Sequence, residues 1–79
     1  MRNNMGNEYH EINDEIKIEF KIPDMLQNLI LDAEIADRRN DGSYDNLADM
    51  IDVLCKNYYS DGILTLKQWE TVVRRYPQW

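Results

Sequence analysis

One cysteine, two prolines and three glycines are all that the 79 residues hold of the types that most constrain a backbone. The lone thiol excludes an internal disulfide, so the fold does not depend on an oxidising compartment. Cys55 falls in the middle of a helical pattern and reads as a small hydrophobe. With His10 the only histidine, a zinc site of four Cys and His ligands is excluded by number. No apolar run approaches the ~20 residues of a membrane-spanning helix. The opening MRNNMGNEYHE has no apolar stretch after Arg2, so no secretory leader is expected and a cytoplasmic protein is. Basic residues are scarce as well: nine Lys and Arg stand against 15 Asp and Glu, for a net charge of −6. That balance disfavours direct contact with nucleic acid or an anionic membrane.

What is present suits a small globular domain. Hydrophobic residues at 43% and charged residues at 30% argue against wholesale disorder. A chain this short buries a modest core, and a partner or a second copy would add stability. Residues 1–7 are expected to be a flexible N-terminus and residues 8–79 a single domain. The fold class is mainly α, a three-helix domain with an N-terminal β-strand or hairpin, or α+β if the strand pairs.

The strand expectation rests on residues 15–22, EIKIEFKI. Ile16, Ile18, Phe20 and Ile22 alternate with Lys17, Glu19 and Lys21, and Pro23 ends the run. No second strand of equal quality exists. The strand could pair with residues 8–12 across Asn13-Asp14, with its copy in a homodimer, or with a partner's sheet edge. Ile16, Ile18 and Phe20 are the candidates for such an edge contact.

Helices are expected over about 24–39, 43–59 and 65–76. Asp24 with Gln27 has the spacing of a capping box, as does Thr65 with Gln68. Leu64 and Trp69 occupy the two places of a hydrophobic staple. Asn40-Asp41-Gly42 and Ser60-Asp61-Gly62 read as turns. In the first helix, Met25, Leu26, Leu29, Ile30, Ala33 and Ala36 form an apolar face wide enough for more than one neighbour. In the central helix, Leu47, Met50, Ile51, Leu54 and Tyr58 form an apolar stripe, and Asp45, Asp49 and Asp52 an acidic one. Ser43 or Asp45 is its expected cap. In the third, Leu66, Trp69, Val72, Val73 and Tyr76 are expected inward.

Chemistry finds little purchase. The two Asp-Gly turns invite comparison with calcium loops, which want a closing Glu at position twelve and side-chain ligands at positions one, three and five. Here position twelve is Ala48 or Gln68, and position three is Arg39 or Tyr59. DGILTLKQW resembles the second half of such a loop and no more of it. Cys55 and His10 have no third group to orient them as a nucleophile and base. No glycine-rich phosphate loop occurs. Neither an enzyme, a metal nor a cofactor is expected.

A protein-binding surface is the remaining candidate. Residues 24–61 hold nine of the 15 acidic side chains against three basic ones. Asp45, Asp49 and Asp52, with Glu34, Asp37 and Asp41 nearby in sequence, could present carboxylates to a basic groove. Adjacent Tyr58 and Tyr59 cannot both face inward, which displays Tyr59 as a possible interface anchor. In size, acidity and short-looped helices the chain resembles the small acidic proteins of phages and mobile elements, including anti-CRISPR proteins. The resemblance carries no sequence motif and no site residue. It implies a non-enzymatic inhibitor that occupies a basic, nucleic-acid-binding surface of a partner protein. The alternative is a homodimeric structural or regulatory module built on strand 15–22.

Overall fold

Three runs with apolar side chains at helical spacing fold as helices in the computed structural model, which describes residues 9–78. They are α1 (Asp24–Arg38), α2 (Ser43–Ser60) and α3 (Leu66–Arg75). The expected flexible segment 1–7 and the terminal Trp79 lie outside the described residues. Helix α2 is central and packs against both neighbours. No helix is long and apolar enough to cross a membrane among the described residues.

The core mixes large aliphatic and aromatic side chains with small ones. Helix α1 contributes Leu26, Ile30, Ala33 and Ala36, and α2 contributes Tyr44, Ala48, Ile51 and Cys55. Leu64, Val72 and Tyr76 complete it from the third helix and its flanks, and Ile12 from the N-terminal segment. The buried line on α2 is therefore rotated from the expected stripe, of which only Ile51 is fully buried. Ala33, Ala48 and Cys55 are short enough to let helix surfaces approach closely, so they take the central line. Leu47, Leu54 and Tyr58 flank it half-buried, and Met50 is half exposed. Leu66, expected inward, sits in the first turn of α3 and is also half exposed.

The helix ends show which local signals hold. Thr65 and Gln68 form a full capping box: the Gln68 amide N–H donates to Thr65 Oγ1 at 3.1 Å and the Thr65 N–H to Gln68 Oε1 at 2.9 Å. Asp24 does not cap α1; Pro23 occupies the cap position and Asp24 is the first helical residue, where its charge still favours the dipole. Nor does Ser43 or Asp45 cap α2, since Gly42 holds that position and Asp41 Oδ1 accepts from the Ser43 N–H at 3.0 Å. Both glycine-containing turns prove to follow helix C-terminal caps of the Schellman type. After α1, the Asp41 N–H donates to the Ala36 carbonyl at 2.8 Å and the Asn40 N–H to Asp37 at 3.0 Å, with Asn40 at φ 53°. After α2, the Ile63 N–H donates to Tyr58 at 2.8 Å and the Gly62 N–H to Tyr59 at 3.1 Å, with Gly62 at φ 78°.

Residues 15–22 make no β-ladder among the described residues, either with 9–12 or elsewhere. The period-two pattern is met differently. Ile18, Phe20 and Ile22 lie half-buried against the helical core while Lys17, Glu19 and Lys21 are exposed. The segment is an irregular strap that lies against the helical core. A turn does form at Asn13, whose carbonyl accepts from the Ile16 N–H at 3.2 Å. Arg75 then ties the strap down. Its carbonyl accepts from the Asn13 N–H at 2.8 Å, its Nη1 donates to the Ile16 carbonyl at 2.7 Å, and its Nη2 lies 3.5 Å from Asp14.

Candidate functional site

The six carboxylates singled out by sequence do not share one face. Asp37 is the clearest correction. It is 1% exposed and cannot present its charge to a partner. Its Oδ2 accepts from the backbone N–H of His10 at 2.9 Å and of Ile12 at 3.1 Å, and its Oδ1 from Glu11 at 2.9 Å. The carboxylate thus supplies acceptors for a stretch of backbone that lacks a strand or helix partner. Glu34 is also engaged. It accepts from Tyr76 Oη at 3.0 Å and lies 4.0 Å from Arg75 Nη2. Asp52 is half-buried and accepts from Trp69 Nε1 at 2.8 Å, locking α3 onto α2.

Three of the six remain on the surface. Asp41, Asp45 and Asp49 are exposed and spaced four residues apart, down the α1–α2 turn and the first half of α2. Asp41 and Asp45 share a shallow recess of about 220 Å³ with Glu11 and Tyr44. Asp49 accepts only a long bond, 3.4 Å, from Gln78 Nε2. None of the three has an ion-pair partner among the described residues. Tyr59 is 43% exposed, with its ring 5.6 Å from that of Trp69. Ile18 and Phe20 pack against the helical core rather than being held out as a free apolar edge, and Ile16 is half-buried.

A second feature was not singled out in the sequence. On the outer side of the α1–α2 pair, Met25, Leu29, Met50, Val53 and Leu54 line an open groove of about 500 Å³. Met25 is 66% exposed, Met50 50% and Val53 51%. Asp32 of α1 and Asp49 of α2, both exposed, line it as well. The width of the α1 apolar face was the available signal. It implies more than one neighbour, and α2 covers only part of it. The Met50 half of the groove was masked because sequence spacing assigned Met50 to the buried stripe.

One thiol and two tyrosine hydroxyls inside the fold have raised pKa values. Burial, reinforced by Asp52, pushes the Cys55 thiol up to about 12. A thiol so placed stays protonated and does not act as a nucleophile at neutral pH. Burial likewise raises Tyr44, whose hydroxyl donates to the Pro77 carbonyl at 2.8 Å. Tyr76 is pushed up to about 12, first by burial and then by Glu34, with the Arg75 guanidinium opposing. Among the described residues no group of three or more His, Cys, Asp or Glu is placed to hold a metal ion. Comparison with protein-family models, with curated proteins and with solved structures finds no match to this chain.

Proposed function

We propose that the chain is a non-enzymatic protein-binding module, an inhibitor whose acidic flank occupies a basic, nucleic-acid-binding surface of a partner protein. The observation that carries this reading is the exposed row Asp41, Asp45 and Asp49, which no cation neutralises among the described residues. Carboxylates one helical turn apart on a rigid element can take the places of successive phosphates on such a surface, and the attraction would be strongly salt-dependent. Size and acidity shared with small phage inhibitors of the anti-CRISPR kind support the same reading.

The test is capture of partner proteins from a host lysate by the native chain and by an Asp45→Asn/Asp49→Asn variant. Asp52 and Asp37 are left intact because their loss would unseat Trp69 and the N-terminal segment. Capture should be lost in the variant at unchanged helicity, weaken with salt, and be displaced by added DNA or RNA. An identical captured set from both proteins would end this reading.

A second reading is favoured by one observation. Residues 17–22 lie in no helix, and their backbone has no ladder partner among the described residues. Its edge could pair with that of a second copy, making a strand of the segment in a homodimer. Light scattering across protein concentration, with Ile18→Pro as the disrupting variant, decides it: a monomer at every concentration rules the dimer out.

A further inference from the structure

The groove between α1 and α2 calls for an occupant. Three large apolar side chains at its mouth are half or more exposed, in a domain too small to leave such area uncovered without cost. The groove spans Met25 to Asp32 on α1 and Asp49 to Asn57 on α2. Each stretch is about two helical turns, or roughly 10 Å. That length matches the i, i+3 or i+4, i+7 anchors of one amphipathic helix laid along it. Two of the lining residues are methionines, whose unbranched thioethers adapt to the shape of an incoming side chain.

Charge selects among occupants. Asp32 and Asp49 bring a carboxylate from each wall, and the chain carries −6 overall. A second copy would bring the same carboxylates to the contact, and like charges across an interface oppose it. An anionic lipid surface is disfavoured on the same ground. A helix with a cationic polar face satisfies both the apolar floor and the acidic walls.

We infer that this groove binds a short amphipathic helix of the partner protein, apolar on one face and rich in Lys and Arg on the other. The inference rests on the protein-binding reading above and adds to it the chemistry of the segment recognised. The acidic row supplies long-range attraction, and the groove supplies the apolar contact that fixes register.

The probe is a fluorescent peptide of about 14 residues with Leu at i, i+3, i+4 and i+7 and Lys at its polar positions. It should bind with amide shifts concentrated at Met25, Leu29, Met50, Val53 and Leu54. Met50→Gln/Val53→Gln should weaken it by about tenfold or more; both sites are exposed and Gln is a good helix former, so the fold survives. Ile63→Gln/Leu66→Gln, on a separate exposed apolar region, should leave it unchanged. Replacing the peptide's Leu by Ser, or its Lys by Glu, should each cost about tenfold or more. Equal binding by the Ser peptide means that charge alone acts, and equal binding by the Glu peptide means that charge does not select; either overturns the inference. So does concentration-dependent dimerisation of the native chain that Met50→Gln/Val53→Gln abolishes, which makes the occupant a second copy. In the lysate experiment the two proposals separate. Capture lost with Asp45→Asn/Asp49→Asn but kept with Met50→Gln/Val53→Gln sinks the groove and spares the acidic flank. Peptide binding at the groove with lysate capture unchanged by the Asp variant does the reverse.

Discussion

Asp37 shows how much one side chain can organise. Its carboxylate receives three successive backbone N–H groups from His10, Glu11 and Ile12. Ile12 is thereby set into the core. Asp37→Ala removes the acceptors and strands three donors, two of them only partly able to reach water. The expected loss is about 3 kcal/mol or more, since hydrogen bonds to a charged group contribute roughly 1.5–3 kcal/mol each and are not additive. Asp37→Asn keeps one acceptor oxygen and should lose roughly 1–2 kcal/mol. Urea unfolding followed by circular dichroism measures both; a change under about 0.5 kcal/mol for the alanine variant would remove Asp37 from this role. Nothing local in the sequence announces it. Asp37 sits among Arg38, Arg39 and Asp41, where a carboxylate looks displayed, and its partners lie 25 to 27 residues earlier in the chain. The buried tyrosines and thiol give a second prediction at this scale. Cys55 rises from 9.0 to about 12 and Tyr76 from 10.0 to about 12, both chiefly through burial, and Tyr44 rises in the same direction. Folding therefore favours their protonated forms. That contribution is complete below the unfolded values and is lost as pH climbs toward the folded ones. Stability should hold to about pH 9 and fall between roughly pH 9 and 12, with each group adding a slope of up to about 1.4 kcal/mol per pH unit. Tyr76→Phe should shallow the fall above pH 10 in a pH-resolved melt.

At the scale of the element, local chemistry was legible where both partners are near in sequence. The Thr65–Gln68 capping box is such a case, and the helix starts where those residues place it. Residues 15–22 are the opposite case. Their alternation correctly separates half-buried Ile18, Phe20 and Ile22 from exposed Lys17, Glu19 and Lys21. Alternation reports that one side is covered and does not report by what; here the cover is helical, and the pattern carries no information on a ladder, which would run along the backbone edges rather than on the side-chain faces. The two Asp-Gly turns divide in a way that sequence alone hides. Gly62 holds φ 78°, the left-handed cap position after α2, whereas after α1 that position belongs to Asn40 and Gly42 lies at φ −60°. Open space surrounds both glycines, so the backbone alone decides. Gly62→Ala should cost about 1–2 kcal/mol. Gly42→Ala should be neutral or stabilise by up to about 1 kcal/mol, because it restricts the unfolded chain at a conformation alanine accepts. Thermal melts of the two variants should move in opposite directions or leave Gly42→Ala unmoved; equal losses would contradict the assigned caps.

For the molecule as a whole, the central position of α2 joins stability to recognition. Its inner line holds the core, its flank carries Asp45 and Asp49, and its outer side forms half of the groove through Met50, Val53 and Leu54. The three-helix arrangement followed from periodicity, but the division of α2 into these sides did not. Deciding which of Ala48, Met50 and Leu54 is innermost depends on where α1 and α3 dock, and small residues win that contest through close approach rather than hydrophobicity. A ligand that covers the outer side should then act on the whole fold, because it binds the native arrangement of two helices and has no such site on the unfolded chain. At a free concentration of about 100 Kd the basic amphipathic peptide should stabilise by about 2.7 kcal/mol. For a domain of this size that is roughly 10–20 °C in the melting midpoint, at about 4–8 °C per kcal/mol. Met50→Gln/Val53→Gln at the same peptide concentration, if bound about tenfold more weakly, should gain only about 1.4 kcal/mol, roughly half the native shift, while its melt without peptide stays within about 0.5 kcal/mol of the native chain, as expected for exposed sites. An equal midpoint shift in both proteins would mean that the peptide is held elsewhere on the acidic surface.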